Sequence, residues 1–145
     1  MKILICGLPG SGKTTLAEPF SKLINAVWIN ADAVRTEYDD WDFSPEGRIR
    51  QAQRMRYLAD GIVKAGRVCV ADFVAPTKKA REEFDADFIV WMDTIKEGRF
   101  DDTNKMYEPL NKGEYNYHVA SWFNDTHEQL LKVITKYMDQ DGSKD

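Results

Sequence analysis

The chain has 145 residues, of which 43% are hydrophobic and 30% are charged, and its formal net charge is −4. This length predicts a single domain with its own core, and the hydrophobic fraction excludes a disordered chain. The negative charge argues against a protein that coats nucleic acid, so we expect no nucleic-acid partner. No apolar run approaches the roughly 20 residues of a membrane span, and the N-terminal run is too short for a signal peptide, so we expect a cytoplasmic protein without a membrane partner.

Short apolar runs alternate with stretches of helical periodicity along the chain. The runs predict strands at 1–6, 26–29, 67–71, 87–92 and 118–123. Helices are predicted at 14–24, 32–38, 44–66, 76–84 and from 125 onward. Pro19 predicts a kink or an early end in the first helix, whereas Ser44 and Pro45 form a typical helix start. The alternation predicts an α/β fold, a doubly wound parallel sheet of about five strands flanked by helices.

One domain is predicted over residues 1–139. Its polar, irregular segment at about 96–116 predicts a short lid, and 140–145 predicts a frayed C-terminal tail. Cys6 and Cys69 lie in apolar runs without CxxC spacing, which is typical of buried thiols. Trp28, Trp91 and Trp122 are also predicted core residues.

Residues 7–14 (GLPGSGKT) match the phosphate-binding P-loop G-x-x-x-x-G-K-[ST] between a predicted strand and a predicted helix. Glycines let main-chain N–H groups approach phosphate oxygens, and the helix directs its positive dipole end to the same anion. We predict that Lys13 binds the β- and γ-phosphates of ATP and that Thr14 ligates Mg²⁺. The predicted ATP-binding residues are Gly7, Leu8, Pro9, Gly10, Ser11, Gly12, Lys13, Thr14 and Thr15.

This loop is shared by GTPases, motor ATPases and small-molecule kinases. The chain has little room for GTPase switch regions, and it lacks an NKxD-type motif that would bind guanine. The sequence therefore favours a compact P-loop kinase that holds its phosphate acceptor in a side pocket.

A second polar group follows the predicted strand at 26–29. Asp32 comes at the sheet edge where doubly wound folds bind their ligands, beside the P-loop. Such a carboxylate can hold Mg²⁺ through water or accept the proton of an attacking hydroxyl, and the structural alternative is a helix cap. Arg35 follows one helical turn later and can face the same cleft, unless it is simply solvated.

Arginines are concentrated after this point in an otherwise acidic chain. Arg48 and Gln51 lie one helical turn apart and offer a guanidinium and an amide to an anionic, base-bearing substrate. Phe43 offers a ring for stacking. For Arg54 and Arg56 we favour the alternative, a solvated helix face.

Together these segments resemble the adenylylsulfate kinase family. The resemblance covers about residues 3 to 135 and is carried by the P-loop, NADAVR at 30–35, FSPEGRIRQ at 43–51, and the strand before FVAP at 73–76. Members of this family, which have a P-loop NTPase-type fold, transfer the γ-phosphoryl group of MgATP to the 3′-hydroxyl of adenylylsulfate (APS). The product is 3′-phosphoadenylylsulfate, so the resemblance implies a role in sulfate assimilation with ATP and APS as substrates.

The resemblance implies roles for individual residues. Lys13 and Asp32 are the implied catalytic residues, and Thr14 with Asp32 (through water) is the implied Mg²⁺ site. The implied acceptor-binding residues are Arg35, Phe43, Arg48, Gln51, Phe73 and Val74. Of these, Arg35, Arg48 and Gln51 would hold the sulfate and phosphate, and the two phenylalanines would enclose the adenine. The sequence does not determine the oligomeric state, and a homodimer is one arrangement that it allows.

The chain departs from the family pattern at several places. Asn30-Ala31-Asp32 stands where the family usually has Asp-Gly-Asp, so one carboxylate is missing. Asp72 stands where the family has a small polar residue, and it is a candidate substitute for the missing carboxylate. Ala75 replaces a common serine. In the lid, Glu108 replaces a lysine. The cation that neutralises the γ-phosphate is left open among Arg99, Lys105 and Lys112.

The sequence leaves three other functions open. One is a kinase of a different hydroxyl, on a nucleoside or at the 5′ end of a polynucleotide, with Asp72 as the acidic partner. Another is a non-catalytic nucleotide-binding module, because of Asn30 and the reduced lid. The third, a GTPase-like switch, is disfavoured by the missing guanine motif.

Overall fold

The computed structural model describes residues 1–142, with side chains described through residue 139. The strands are β1 (Lys2–Gly7), β2 (Val27–Asn30), β3 (Cys69–Asp72), β4 (Phe88–Met92) and β5 (Tyr117–Val119). The helices are α1 (Lys13–Leu23), α2 (Ala31–Tyr38), α3 (Pro45–Lys64), α4 (Lys78–Phe84), α5 (Asp101–Met106) and α6 (Thr126–Gly142). The strands form one sheet in the order β2-β3-β1-β4-β5, with every neighbouring pair parallel. The predicted doubly wound α/β sheet is confirmed.

Helices cover both faces of the sheet. Side chains alternate between the two faces along each strand, and both faces carry apolar side chains that the helices bury. In β1, Leu4 and Cys6 face a core that is shared with α3 and α4. Ile3 and Ile5 face a second core that is shared with α1 and α6. All six residues of β1 are buried, so its carboxyl end delivers the P-loop from the centre of the molecule.

The two cysteines are buried as predicted, and burial raises the pKa of both thiols to about 12. Trp91 is also buried, but the assignment of Trp122 to the core is wrong, because 39% of this residue is exposed. Trp122 lies in the connection between β5 and α6, and its ring lies beside Gly12 of the P-loop. In the described part of the chain, no helix combines the length and the apolar character that a bilayer crossing needs.

Several elements differ from those predicted. Pro19 does not end α1 early, because Leu16, Ala17 and Phe20 are fully buried and their packing holds the helix through the proline. The fifth strand is only Tyr117–Val119, and α5 forms inside the segment predicted to be irregular. Helix α6 continues to Gly142 and 143–145 lie outside the described residues, so the frayed tail at 140–145 stays a prediction.

The start of α3 forms as its sequence predicts and fixes the loop before it. Ser44 caps the helix, with its hydroxyl oxygen 3.1 Å from the Gly47 N–H that donates to it, and Pro45 is the first helical residue. Gly47 is buried against the loop, and a Cβ added there would overlap the carbonyl oxygen and the carboxyl carbon of Asp42. This close approach holds the segment that carries Phe43.

We predict that Gly47→Ala lowers the free energy of unfolding by about 1–3 kcal/mol, because its methyl group pushes the loop away from the helix. Gly61→Ala in the same helix is the matched control, since a Cβ there meets open space within the described structure. Alanine is the better helix former, so the control should be more stable by about 0.5–1 kcal/mol. Chemical denaturation of both variants checks this, and equal destabilisation would contradict it.

Candidate active site

A cavity of about 800 Å³ lies at the carboxyl edge of the sheet, where β1, β2 and β3 end. It extends from the P-loop to the first turns of α2 and α3 and to the segment before α5. The cavity brings together most of the residues predicted from the sequence. Those lining it are Pro9, Gly10, Gly12, Lys13, Thr14, Thr15, Asp32, Arg35, Phe43, Arg48, Gln51, Phe73 and Val74. Gly7, Leu8 and Ser11 belong to the same loop but are not among the lining residues.

The glycines at both ends of the P-loop allow its tight turn. Gly7 has a φ of 151°, and a Cβ there would overlap the carbonyl oxygen of Met92 on the neighbouring strand. Gly12 is left-handed, with a φ of 100°, and directly precedes α1. Both positions therefore favour glycine, and the N-terminal N–H groups of α1 remain available to an anion.

Contacts within the protein hold the P-loop in shape. The ammonium of Lys13 donates to the Leu8 carbonyl oxygen at 3.1 Å, and burial lowers the pKa of this lysine. Thr94, which follows β4, donates its hydroxyl to the Ser11 carbonyl oxygen at 2.7 Å. The Ser11 hydroxyl itself is buried and has no hydrogen-bond partner within the described residues. Thr94 was not predicted as a site residue, because it lies 83 positions along the chain from its partner and only the fold brings the two together.

Asp32 does not cap α2. That role belongs to Asn30, whose side-chain oxygen accepts from the Ala33 N–H at 3.0 Å. The structural alternative for Asp32 is therefore wrong. The residue is exposed at the cavity, so its carboxylate can meet a ligand there.

Asp72 forms the centre of a hydrogen-bond network at the end of β3. Its carboxylate accepts from the Trp28 indole at 2.6 Å and from the Asn30 amide at 3.1 and 3.2 Å. The Thr14 hydroxyl lies 3.5 Å from it. Only 2% of Asp72 is exposed, and burial raises the pKa of this carboxyl above its usual range. A carboxylate beside the P-loop hydroxyl supplies the oxygen ligands that Mg²⁺ prefers, so these residues fit the predicted ion.

Arg35 is buried and not solvated. Its guanidinium donates to the carbonyl oxygens of Asp40 and Asp42 at 3.0 and 3.2 Å and lies 4.4 Å from the centre of the Phe43 ring. The charge of Arg35 is thus placed by neutral carbonyls and an aromatic face at the cavity wall.

Arg48 reaches the same ring from α3, with its guanidinium 4.7 Å from the Phe43 ring centre. It donates to the Thr103 hydroxyl at 2.7 Å, and its Nε has no partner within the described structure. Burial, together with the charge of Arg35, lowers the pKa of Arg48 to about 10. Two buried guanidiniums therefore share one aromatic ring, an arrangement that an anionic ligand would stabilise.

The interpretation of Arg54 as part of a solvated face is wrong. Its side chain is 12% exposed and lies 2.7 Å from the carboxylate of Asp40. Arg50 binds the same carboxylate at 2.8 Å, and the two arginines hold the pKa of Asp40 well below its usual range. Arg54 also donates to the Gln51 side-chain oxygen at 2.7 Å, while the Gln51 amide donates to the Ala31 carbonyl at 3.1 Å. Gln51 thus links α2 and α3 at the cavity wall.

The opposite wall follows β3. Phe73 packs edge-on against Phe84, with 5.4 Å between the ring centres. Ala75 has a left-handed φ of 43°, and Arg81 holds it by donating to its carbonyl oxygen at 2.9 Å. The same guanidinium donates to the Glu108 carbonyl oxygen at 2.9 Å. Arg81 therefore fixes both this wall and a residue within the predicted lid.

The predicted lid segment contributes one cation to the cavity. Among the described residues, Arg99 lines the cavity, whereas Lys105 and Lys112 do not. Thr103 is buried in α5 and connects the lid to Arg48, a contact between residues 55 positions apart that only the fold reveals.

Comparisons with known proteins identify similar sequences and similar folds. The family model for adenylylsulphate kinase matches residues 1–116. A probable adenylyl-sulfate kinase of Aeropyrum pernix is 32% identical over 85 residues, 54% of this chain and 46% of that protein. Adenylyl-sulfate kinase 3 of Arabidopsis thaliana is 31% identical over 86 residues, 55% of this chain and 41% of that protein. The match thus spans less than half the length of either relative.

Solved structures share the fold over most of the chain. The Mycobacterium tuberculosis APS kinase CysC, in complex with AMPPNP and APS, has a TM-score of 0.73 at 14% identity and covers 92% of this chain and 96% of its own. A shikimate kinase from Acinetobacter baumannii, in complex with shikimate, has a TM-score of 0.66 at 16% identity. The match covers 94% of this chain and 93% of that kinase. At these identities the likeness shows the fold alone.

We predict that Arg81→Met lowers the free energy of unfolding by about 3 kcal/mol, because two carbonyl groups lose a charged hydrogen-bond donor. Arg67→Met is the control, since Arg67 is exposed and donates to the single Asn25 carbonyl at 3.1 Å. Its loss should cost less than about 1 kcal/mol. Thermal unfolding of both variants measures the difference, and similar losses would show that Arg81 does not fix the wall.

Proposed function

The chain belongs to the adenylylsulphate kinase family, and we propose that it transfers the γ-phosphoryl group of ATP to the 3′-hydroxyl of APS. The observation that carries this proposal is the pair of buried guanidiniums, Arg35 and Arg48, on the Phe43 ring in the same cavity as the P-loop. The P-loop offers a donor site and the arginine pair offers a site for an anionic acceptor. One cavity would therefore hold the two halves of a phosphotransferase site.

The donor half rests on the P-loop and α1. Main-chain N–H groups and the positive end of α1 face the phosphates of ATP, and the Lys13 ammonium leaves the Leu8 carbonyl to bind the β- and γ-phosphates. Mg²⁺, when bound, neutralises charge on these phosphates. Thr14 and Asp32 are the metal-site residues that the family motif suggests.

The acceptor half rests on charge and aromatic contact. APS carries adjoining phosphate and sulfate groups, and these anions would satisfy both Arg35 and Arg48. The adenine would lie between Phe43 and Phe73, with Val74 beside it, because all three line the cavity. Gln51 lies on α3 one turn after Arg48, and the second N–H of its amide would complete the anion site while the first stays bonded to the Ala31 carbonyl. A nucleoside has no anionic group that could pair with the arginines, which favours an anionic acceptor such as APS over a nucleoside.

The chemical step needs a base and correct alignment. Asp32 would orient the 3′-hydroxyl and accept its proton as the oxygen forms a bond to the γ-phosphorus. The bond between the γ-phosphorus and the β,γ-bridging oxygen breaks, and ADP leaves. The lid at about 96–116 would close over both substrates, so that Arg99 lies near the phosphates and water does not act as the acceptor.

We predict that Lys13→Ala lowers kcat by at least about 100-fold, because the main positive side chain at the transferring group is lost. The domain should stay folded, because Lys13 makes only one hydrogen bond within the described structure. Lys22→Ala, at the exposed end of the same helix, is the control and should keep full activity. Steady-state kinetics with APS measure both, and an active Lys13→Ala variant would refute the assignment.

We predict that Arg48→Ala raises KM for APS by about 10- to 100-fold and KM for ATP by less than about twofold, because only the acceptor loses a charged hydrogen bond. Arg56→Ala serves as the control, because Arg56 lies on the same helix and its side chain is 42% exposed. Equal increases in the two KM values for Arg48→Ala would count against this acceptor pocket.

A further inference from the structure

The carboxylate at the end of β3 occupies a central position among the strand ends. Asp72 is the register partner of Ile5 on β1 and of Asn30 on β2. It therefore lies between the strand that leads into the P-loop and the strand that leads into Asp32. Only 2% of the residue is exposed, yet it lines the cavity.

The two carboxylate oxygens of Asp72 have different neighbours. Oδ2 receives the short bond from the Trp28 indole, at 2.6 Å. Oδ1 lies nearest Thr14, 3.5 Å from its hydroxyl oxygen. Within residues 1–139, the hydrogen-bond partners of this carboxylate are all neutral. The charge of Lys13 acts on this buried carboxylate, but its ammonium donates to the Leu8 carbonyl instead, so a bound cation would stabilise Asp72 further.

Asn30 cannot supply a metal ligand in this geometry. Its side-chain oxygen is used to cap α2 through the Ala33 N–H. Its NH₂ group points the other way, to both oxygens of Asp72 and to the Thr14 hydroxyl at 3.4 Å. An NH₂ group only donates hydrogen bonds and does not bind a cation. Asn30 is therefore a positioning residue, which orients the Asp72 carboxylate towards the P-loop.

We propose that Asp72, acting with Thr14, is the residue that organises the divalent cation on the donor nucleotide, and that Asp32 is left to the acceptor hydroxyl. In this assignment the metal-organising carboxylate lies at the end of β3, on the strand adjacent to β2, where Asn30 offers only an amide. The inference rests on the proposed function only in that the P-loop binds a triphosphate with its cation, and it does not depend on APS.

The test is binding without any acceptor. The affinity for AMPPNP is measured by calorimetry with Mn²⁺ and with EDTA, and the ratio of the two values gives the metal effect. We expect Asp72→Asn to reduce this ratio at least about 10-fold while the affinity in EDTA changes less than about twofold. Asp32→Asn should change the ratio less than about threefold. Asp72→Asn is nearly isosteric and removes a buried charge, so it should fold, as thermal unfolding would verify.

A reciprocal exchange completes the test. The double variant Asn30→Asp/Asp72→Asn returns one carboxylate and one amide to the same network, and we expect its metal effect to recover to within about threefold of the wild type. An unchanged ratio in Asp72→Asn, or a loss that occurs in Asp32→Asn instead, would overturn the assignment. If APS is not phosphorylated although the metal effect depends on Asp72, the proposed acceptor fails and this assignment stands.

Discussion

The parallel pairing of β1 with β3 and β4 is the constraint on which the site depends. The register of β3 with β1 and with β2 places both Ile5 and Asn30 opposite Asp72. The ends of these three strands therefore meet beside the P-loop. On the other side of β1, Gly7 passes so close to the Met92 carbonyl that no larger residue fits. A slip of one position in either pair would turn these side chains to the other face of the sheet. The register of buried apolar strands thus fixes the placement of the polar groups.

The charged groups around the cavity fall into two sets, which differ in their partners. Arg35 and Arg48 are buried against carbonyl oxygens, a hydroxyl and an aromatic ring, and Asp72 is buried among neutral donors. By contrast, Asp40 has arginine partners of its own and supports the loop. The charges of Asp40 and Lys13 act on Arg35 and Asp72 without a direct ion pair, so a ligand of opposite charge would stabilise these buried groups further. The binding groups and the supporting groups can thus be distinguished by their partners.

The features that the sequence predicted well depend on contacts between near neighbours. The P-loop and the Ser44 cap involve residues only a few positions apart, so their motifs contain the whole interaction. Interactions across the fold could not be predicted in this way. The Thr14–Asp72 and Arg48–Thr103 contacts join residues 58 and 55 positions apart, and neither leaves a pattern in the sequence. The burial of Arg54 was missed because its partner, Asp40, lies in an irregular loop.

Local propensity also gave way to packing at two places. Pro19 remains inside α1 because the apolar residues around it are fully buried, and this packing outweighs one lost hydrogen bond. Trp122 is partly exposed although tryptophan usually favours the core, because β5 ends at Val119 and leaves it in a loop beside the P-loop. In both cases the deciding contacts are tertiary, and a single sequence does not contain them explicitly.

The measurement that tests the proposed reaction most directly is acceptor-dependent ADP formation by the wild-type protein, with the product identified by mass spectrometry. With ATP, Mg²⁺ and APS, we expect equal amounts of ADP and 3′-phosphoadenylylsulfate, and only background ADP when APS is omitted or replaced by adenosine or a 5′-hydroxyl oligonucleotide. ADP formation that does not depend on APS, or binding of both substrates without any product, would contradict an APS kinase.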